Sequence, residues 1–169
     1  MTSWSEFYFL CGSAAAGLTG LMFIAITFGA RLITREKLPY VDAFFSPICY
    51  DFIQAFILCA VALVPIAGPT TLGATIVLTT LWRSLQLPVT YRLTRRAAAE
   101  TPSDVDRSDW ILGLIVPAAL YALLIATGVC YFVGIRAGDA LFAISLLCLL
   151  TIALRRAWDM LLWIATKVD

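Results

Sequence analysis

The sequence contains no histidine among its 169 residues. This absence excludes histidine-based acid–base catalysis, a histidine-ligated haem and the usual histidine-containing zinc and copper sites. Charge is also scarce, because only 14% of the residues are charged and the formal net charge is +1. Nucleic-acid-binding proteins carry a basic stripe that such a composition does not provide. We therefore expect no nucleic-acid partner, no metal site and no cofactor.

Two further motifs are missing. The five cysteines form no CxxC pair and each lies within an apolar run, so we interpret them as free thiols that fill space as small apolar side chains. The N-terminus lacks the basic region of a secretory signal, since its first charged residue is Glu6 and its first basic residue is Arg31. We interpret this segment as an uncleaved membrane span.

Apolar residues are in excess, at 62% of the chain, and the mean hydropathy is +0.92. A soluble domain has roughly 45–50% apolar residues, so the composition predicts an all-α, polytopic membrane protein. A spanning helix needs about 20 mostly apolar residues. Five segments of a single transmembrane domain (1–169) meet this requirement: about 5–30, 43–66, 70–92, 110–134 and 139–165.

The basic residues predict the orientation of the five spans. With five spans, all the basic residues between or after them except Arg136 fall on one side of the membrane. The positive-inside rule then places the N-terminus outside and the C-terminus in the cytoplasm of a bacterial inner (plasma) membrane. Arg83 interrupts the third segment, but without that span Arg95 and Arg96 would lie on the opposite face, so the charge bias favours five spans.

Asp51 and Arg83 lie inside predicted spans. Counted from the cytoplasmic ends of the second and third spans, they lie roughly 12 and 13 Å deep at ~1.5 Å per residue. A very short connection joins the two spans, which predicts antiparallel neighbours. A lone charge at mid-membrane costs at least ~2.5–3.5 kcal/mol on insertion scales, so we predict that Asp51 and Arg83 pair.

Other polar residues extend this pair. Gln54 and Gln86 add polar edges, and Arg155 and Asp159 form an i, i+4 pair on the last span. These predict a polar cluster in the inner half of the membrane: Asp51, Gln54, Arg83, Gln86, Arg155 and Asp159. Two interpretations stay open. The cluster lines a water-filled vestibule or ion path, or it only locks two helices while Arg155 snorkels to the interface.

Small residues recur every four positions on two predicted spans, a spacing that lets helix backbones approach closely. They are Gly12, Ala16 and Gly20 on the first span, and Ala118, Ala122 and Ala126 on the fourth. The stripes pack either within one chain or between subunits. Because five helices enclose little interior, a permeation path forms more easily on a symmetry axis, and we expect a homo-oligomer.

Two stretches carry a resemblance. GSAAAGLTGLMFIAITF (12–28), after Trp4 and Phe7, resembles the first span of a group of uncharacterised bacterial integral membrane proteins, and RRAWDMLL (155–162) is similar to the end of the same group. The resemblance covers the two ends of the chain and implies no known activity. It would make Thr19 and Gly20 motif residues with a packing role.

These patterns lead to a ranked set of functions. We expect no enzyme, because intramembrane hydrolases need a nucleophile with a partner or paired carboxylates, and Asp51 faces an arginine. The leading hypothesis is a homo-oligomeric inner-membrane protein, embedded in the lipid bilayer, that forms an ion-conducting pore or polar vestibule. The first alternative is a non-conducting scaffold or regulatory subunit that binds another membrane protein. A small secondary transporter ranks third, since no internal repeat is found.

Overall fold

The structure is a computed structural model that describes residues 4–29, 38–65, 68–100, 110–135 and 137–166. Of these residues 93% are helical and none is in a strand. The helices are α1 (Ser5–Gly29), α2 (Leu38–Leu63), α3 (Pro69–Ser84), α4 (Leu87–Glu100), α5 (Val116–Val133) and α6 (Gly138–Thr166). A π-helical turn, Ile111–Ile115, leads into α5. The all-α prediction is therefore confirmed.

Four segments are long and apolar enough to cross a membrane. They are Ser5–Phe28, Phe45–Leu63, Ile111–Val133 and Gly138–Leu162. Each coincides with one of the predicted spans to within one residue or lies inside it, and their composition is that of a membrane protein. Six basic residues used to predict the orientation lie outside the described part of the chain: Arg31, Arg35, Lys37, Arg107, Arg136 and Lys167.

The third predicted span differs from the structure. A single helix was expected over 70–92, but α3 ends at Ser84 and α4 begins at Leu87. Pro88 explains the break, because it has no N–H to donate to the carbonyl of Ser84 and its ring would clash there. A tight turn replaces the missing bond, with the Gln86 N–H donating to the Arg83 carbonyl at 3.0 Å. The sixteen residues of α3 span ~24 Å, which is less than a hydrocarbon core of ~30 Å.

Pro117 has a local effect on the helix that precedes α5. The π-helical turn ends at Ile115, and Pro117 is the second residue of α5. A proline cannot donate to the carbonyl four residues earlier, which here belongs to Gly113, and a widened turn accommodates that loss. Gly113 and Pro117 are both buried, so this irregular backbone faces the interior of the protein.

The helices pair in a pattern that the chain order only partly predicts. α1 packs on α2, and α2 packs on α6 and α4, while α3 packs chiefly on α5 rather than on α2. A close approach of two glycines explains the α3–α5 contact. A Cβ added to Gly128 would lie 2.6 Å from Val77 Cγ2 and 3.1 Å from the Gly73 carbonyl oxygen. Only glycine at this position lets the two backbones come so near.

A buried apolar cluster joins α2 to α6. It contains Ile48 and Phe52 from α2 together with Ala153, Ala157 and Met160 from α6. These residues recur at helical spacing and define the inward face of each helix. Asp51 of α2 and Arg156 of α6 lie next to these residues on the same inward faces. Both side chains are therefore brought into the interior.

Candidate functional site: a buried charge cluster

The predicted contact between Asp51 and Arg83 is confirmed. Arg83 Nη2 donates to Asp51 Oδ1 at 2.8 Å, which joins the last turn of α3 to the middle of α2. Both side chains are deeply buried, since Asp51 is 2% exposed and Arg83 is 6% exposed. Burial in an apolar bundle removes water as a partner, so each charge depends on the other and on nearby dipoles.

A second arginine completes the pairing, and it is Arg156 rather than the predicted Arg155. Arg156 Nη1 donates to Asp51 Oδ2 at 3.1 Å, and Arg156 is 6% exposed. Arg155 forms its predicted i, i+4 pair, with Nε donating to both Asp159 oxygens at 3.1 Å. The sequence places Arg155 just below Asp51 and Arg83, near the inner interface; in the structure the Arg155–Asp159 pair is exposed and contacts neither Asp51 nor Arg83 among the described residues.

Arg155 and Arg156 differ in the direction in which they point around the axis of α6. Counting residues along a helix gives the depth of a side chain, but consecutive residues differ by about 100° in direction. The inward face of α6 contains Ala153, Ala157 and Met160, and Arg156 lies on that face while Arg155 does not. The pattern of small and apolar residues around the Arg–Arg pair was the signal that could have distinguished the two.

Tyr121 of α5 is a further member that the sequence did not indicate. Its hydroxyl donates to Asp51 Oδ1 at 2.6 Å and accepts from Arg83 Nη2 at 3.0 Å. The Asp51 carboxylate therefore accepts hydrogen bonds from three helices: α3, α5 and α6. We call Asp51, Arg83, Tyr121 and Arg156 the charge cluster.

Arg83 has several other partners. Nη2 also donates to the Pro47 carbonyl at 3.2 Å, and Nη1 donates to Gln86 Oε1. The guanidinium lies 5.3 Å from the ring centroid of Tyr50, within the range of a cation–π interaction. Gln86 thus lies beside the charge cluster, as predicted, at the turn between α3 and α4.

Gln54 lies close to the charge cluster but is bonded elsewhere. It is buried, and its Nε2 donates to Thr80 Oγ1 at 3.1 Å, which joins α2 to α3 one turn away from Asp51. Its Oε1 has no partner among the described residues. The prediction that Gln54 adds a polar edge in this region agrees with its position, although it contacts no charged group in the described part of the chain.

The charge cluster is not electrically balanced. One carboxylate, Asp51, faces two guanidinium groups, so the three charges sum to +1. Within the described ranges, Arg83 Nε and Arg156 Nη2 are buried without a hydrogen-bond partner. A cavity of about 10 Å³ lies beside them, and its walls include Arg83, Gln86, Tyr121 and Arg156. A charge that is not offset is costly in a low-dielectric interior, and among the described residues no second carboxylate contacts either arginine.

The two small-residue stripes contribute little to packing inside the chain. Gly12 is the exception, since an added Cβ would lie 3.0 Å from Cys59 Cβ on α2. Ala16 and Gly20 are exposed, and a Cβ on Gly20 would meet no atom within 4 Å. On α5, Ala118 is half-buried, whereas Ala122 and Ala126 are exposed. Most of both stripes therefore lies on the exposed surface of the chain.

Within the described ranges, no group of three metal-ligating side chains comes together. Comparison with known proteins adds no family, since no family model, no curated protein and no solved structure matches the chain.

Proposed function

We propose that this chain is a multi-pass protein of the bacterial inner membrane that assembles as a homo-oligomer, and that the charge cluster forms a vestibule on an ion path. The observation that carries the proposal is the unbalanced charge of Asp51, Arg83 and Arg156, all deeply buried between apolar helices. Ionisable residues inside membrane segments are costly and commonly mark ion or substrate pathways.

The proposed topology keeps five crossings, with α3 as a short one. Asp51 lies twelve residues before the end of α2, roughly 18 Å along the helix, and Arg83 lies fourteen residues after the start of α3, roughly 21 Å. Because the two side chains meet, α3 must return through the layer that the second half of α2 crosses. In this topology the N-terminus is outside and the C-terminus is cytoplasmic.

Helix α4 has the composition of an interfacial helix. Arg92, Arg95 and Arg96 are exposed, whereas Leu93 is half-buried and Thr94 is buried. An amphipathic helix with basic residues on its open face lies in the headgroup region and is attracted to anionic lipids. If α4 lies in the headgroup region, the chain has already left the apolar layer when α3 ends. A short α3 is then sufficient for a crossing.

Assembly is supported by the outward direction of the small-residue stripes. Ala122 and Ala126 on α5 are exposed, and so are Ala16 and Gly20 on α1. Small residues allow close contact between helices in a membrane, where packing rather than the hydrophobic effect drives association. An oligomer that uses one of these faces would place the remaining helices around a shared axis.

The proposal includes no catalysis. Asp51 accepts hydrogen bonds from Arg83, Arg156 and Tyr121, so its carboxylate is occupied as an acceptor. A general base or nucleophile must instead be free to reach a substrate atom.

A non-conducting scaffold or regulatory subunit is the second candidate. The observation in its favour is that Asp51, Arg83 and Arg156 pair within one chain, which is what a purely structural lock between α2, α3 and α6 requires. In that case the exposed stripes would contact a different membrane protein. A small secondary transporter stays third, because the sequence contains no internal repeat of the kind that many transporter folds carry.

Ion flux from liposomes reconstituted with purified protein separates these candidates. We expect flux in the wild type, a loss of about tenfold or more in Arg156→Gln, and no change in Arg155→Gln, since each 1.4 kcal/mol lost from a transition state costs a factor of ten. Arg155→Gln is a matched control because it removes the same charge from the adjacent, exposed position. Equal flux in protein-containing and empty liposomes would favour the scaffold.

A further inference from the structure

An open groove lies between α2 and α3. Its volume is about 500 Å³, which falls within the roughly 300–1,000 Å³ that ligand pockets commonly have. The groove exists because α3 packs chiefly on α5 rather than on α2. The close approach of Gly73 and Gly128 holds α3 against α5, and space is left between α3 and α2.

Apolar and aromatic side chains from both helices form most of the lining. The exposed ones are Tyr50, Ile53 and Ile57 on α2, and Leu78 and Trp82 on α3. Residues three, four or seven positions apart lie on one face of a helix, so each helix presents a continuous strip to the groove. The groove is therefore open along its side, and in the proposed topology that side faces the bilayer.

The two ends of the groove differ in chemistry. The Arg83 guanidinium lies 5.3 Å from the ring centroid of Tyr50, so the last turn of α3, with Trp82, is level with Tyr50. Tyrosine and tryptophan are the aromatic residues that lie at the level of the lipid headgroups. Ile57 is seven residues further along α2, roughly 10 Å away, at the apolar end.

Positive charge is concentrated at the aromatic end. The charge cluster, which includes Arg83, sums to +1. Helix α4 begins three residues after Ser84 and packs on α2, and its exposed arginines are Arg92, Arg95 and Arg96. Arginine binds phosphate through paired hydrogen bonds, and basic residues beside a membrane attract anionic headgroups. A molecule that matches both ends has an anionic phosphate joined to a hydrocarbon chain.

We propose that the groove binds one acyl chain of an anionic glycerophospholipid of the cytoplasmic leaflet, with the phosphate at the Tyr50–Trp82 end near the arginines of α4. One leaflet of the hydrocarbon core is roughly 15 Å thick, so a groove about 10 Å long takes up most of one chain. The second chain stays in the bilayer. This inference goes beyond ion conduction and rests on the proposed function only for the placement of α3 and α4 in the membrane.

Native mass spectrometry of the full-length protein in detergent measures lipid binding, and a lipid titration gives an apparent Kd. We expect phosphatidylglycerol to bind at least about tenfold more tightly than phosphatidylcholine with the same acyl chains, because only the former has a net negative charge. Monoacyl phosphatidylglycerol should compete, since one chain occupies the groove. Soluble glycerol phosphate has no chain and should not compete.

Two tryptophan substitutions test the groove itself. Ile53→Trp fills it, so the Kd for phosphatidylglycerol should rise at least about tenfold, whereas Ile144→Trp on the exposed surface of α6 should leave the Kd unchanged. Leu78→Trp fills the groove from the opposite wall and serves if Ile53→Trp does not fold, since Leu78 is 72% exposed and tolerates added bulk.

The arginines of α4 are tested separately. The triple variant Arg92→Gln, Arg95→Gln, Arg96→Gln should lose the preference for phosphatidylglycerol over phosphatidylcholine, because each basic residue near the surface contributes to the attraction of anionic lipid. Arg155→Gln is the control, since Arg155 is exposed on α6 and should not affect this preference.

Four results would overturn the inference. They are equal affinity for the two phospholipids, competition by glycerol phosphate as strong as that by the monoacyl lipid, groove variants that bind lipid like Ile144→Trp, and a triple variant that keeps its preference. Altered subunit number in the groove variants with unchanged lipid affinity would assign the groove to a second copy of the chain. Selective lipid binding without ion flux would refute the ion path alone, and flux without selective lipid binding would refute the lipid site alone.

Discussion

At the scale of single residues, two arginines share the Asp51 carboxylate. This sharing changes the expected effect on stability of exchanging the charges at positions 51 and 83. In a simple pair, exchanging Asp51 and Arg83 would restore the interaction. Here an arginine at position 51 would face Arg156, whose Nη1 lies 3.1 Å from the Asp51 carboxylate. Like charges at such a distance in a low dielectric repel strongly.

We therefore expect the double variant Asp51→Arg, Arg83→Asp to unfold as readily as the less stable single variant. Adding Arg156→Gln should recover part of the loss, because it removes the new repulsion. Thermal unfolding in detergent measures the series. A double variant with wild-type stability would mean that Arg156 does not contact position 51.

The residue scale also shows what a sequence can predict about such a site. The depths of Asp51 and Arg83 follow from counting residues, and their contact was predictable for that reason. The direction of a side chain around its helix depends on which face is buried, and that depends on neighbours distant in sequence. Tyr121 and Arg156 were missed on this account, since α5 and α6 reach α2 from far along the chain.

At the scale of elements, Gly73 and Gly128 set the contact between α3 and α5. A methyl group on Gly128 would lie 2.6 Å from Val77 Cγ2 and 3.1 Å from a backbone oxygen that cannot easily move. Neither glycine belongs to a four-residue repeat, so the repeat pattern does not predict this contact. The stripes on α1 and α5 follow the repeat but lie mostly on exposed surface.

Gly128→Ala should therefore destabilise the protein by roughly 1–3 kcal/mol, the usual cost of overpacking. Gly20→Ala is the matched control, because Gly20 is also helical and an added methyl group meets no atom within 4 Å. The control should be neutral or slightly more stable, since alanine favours a helix over glycine. Similar unfolding temperatures for the two variants would contradict the close approach of α3 and α5.

The break between α3 and α4 is the main difference between the predicted helices and those of the structure. The bounds of α1, of α6, and of α5 taken with the π-helical turn before it agree closely with the predicted spans, because long apolar runs define them. The apolar residues of the third run predict a span that continues through Pro88. The missing N–H of that proline was the stronger signal, since it removes a backbone hydrogen bond that an apolar environment cannot replace.

At the scale of the whole molecule, the exposed face of α5 is the proposed contact between copies. Ala122 and Ala126 lie on that face, opposite residues such as Tyr121 and Leu124 that fill the core. Replacing Ala122 with leucine adds bulk outside the chain, so it should disturb assembly without unfolding the monomer.

Native mass spectrometry of wild-type protein and Ala122→Leu in detergent measures this effect. We expect a smaller complex, or a mixture of sizes, in the variant. Val89→Leu is a suitable control, because it adds one methylene group at a residue that is exposed on α4 rather than on α5. An unchanged mass for Ala122→Leu would exclude this face as the subunit contact.

The most direct test of the account compares two adjacent arginines in a double-mutant cycle with Asp51. Arg155→Gln and Arg156→Gln are each combined with Asp51→Asn, and the free energy of unfolding is measured for every variant. Because Arg156 donates to the Asp51 carboxylate, which keeps Arg83 and Tyr121 as donors, its removal alone should cost roughly 1–3 kcal/mol, and nothing once Asp51 is neutral. Arg155 is exposed, so its removal should cost no more than ~1 kcal/mol in either background. Coupling of Asp51 to Arg155, or none to Arg156, would contradict the charge cluster on which the proposed function rests.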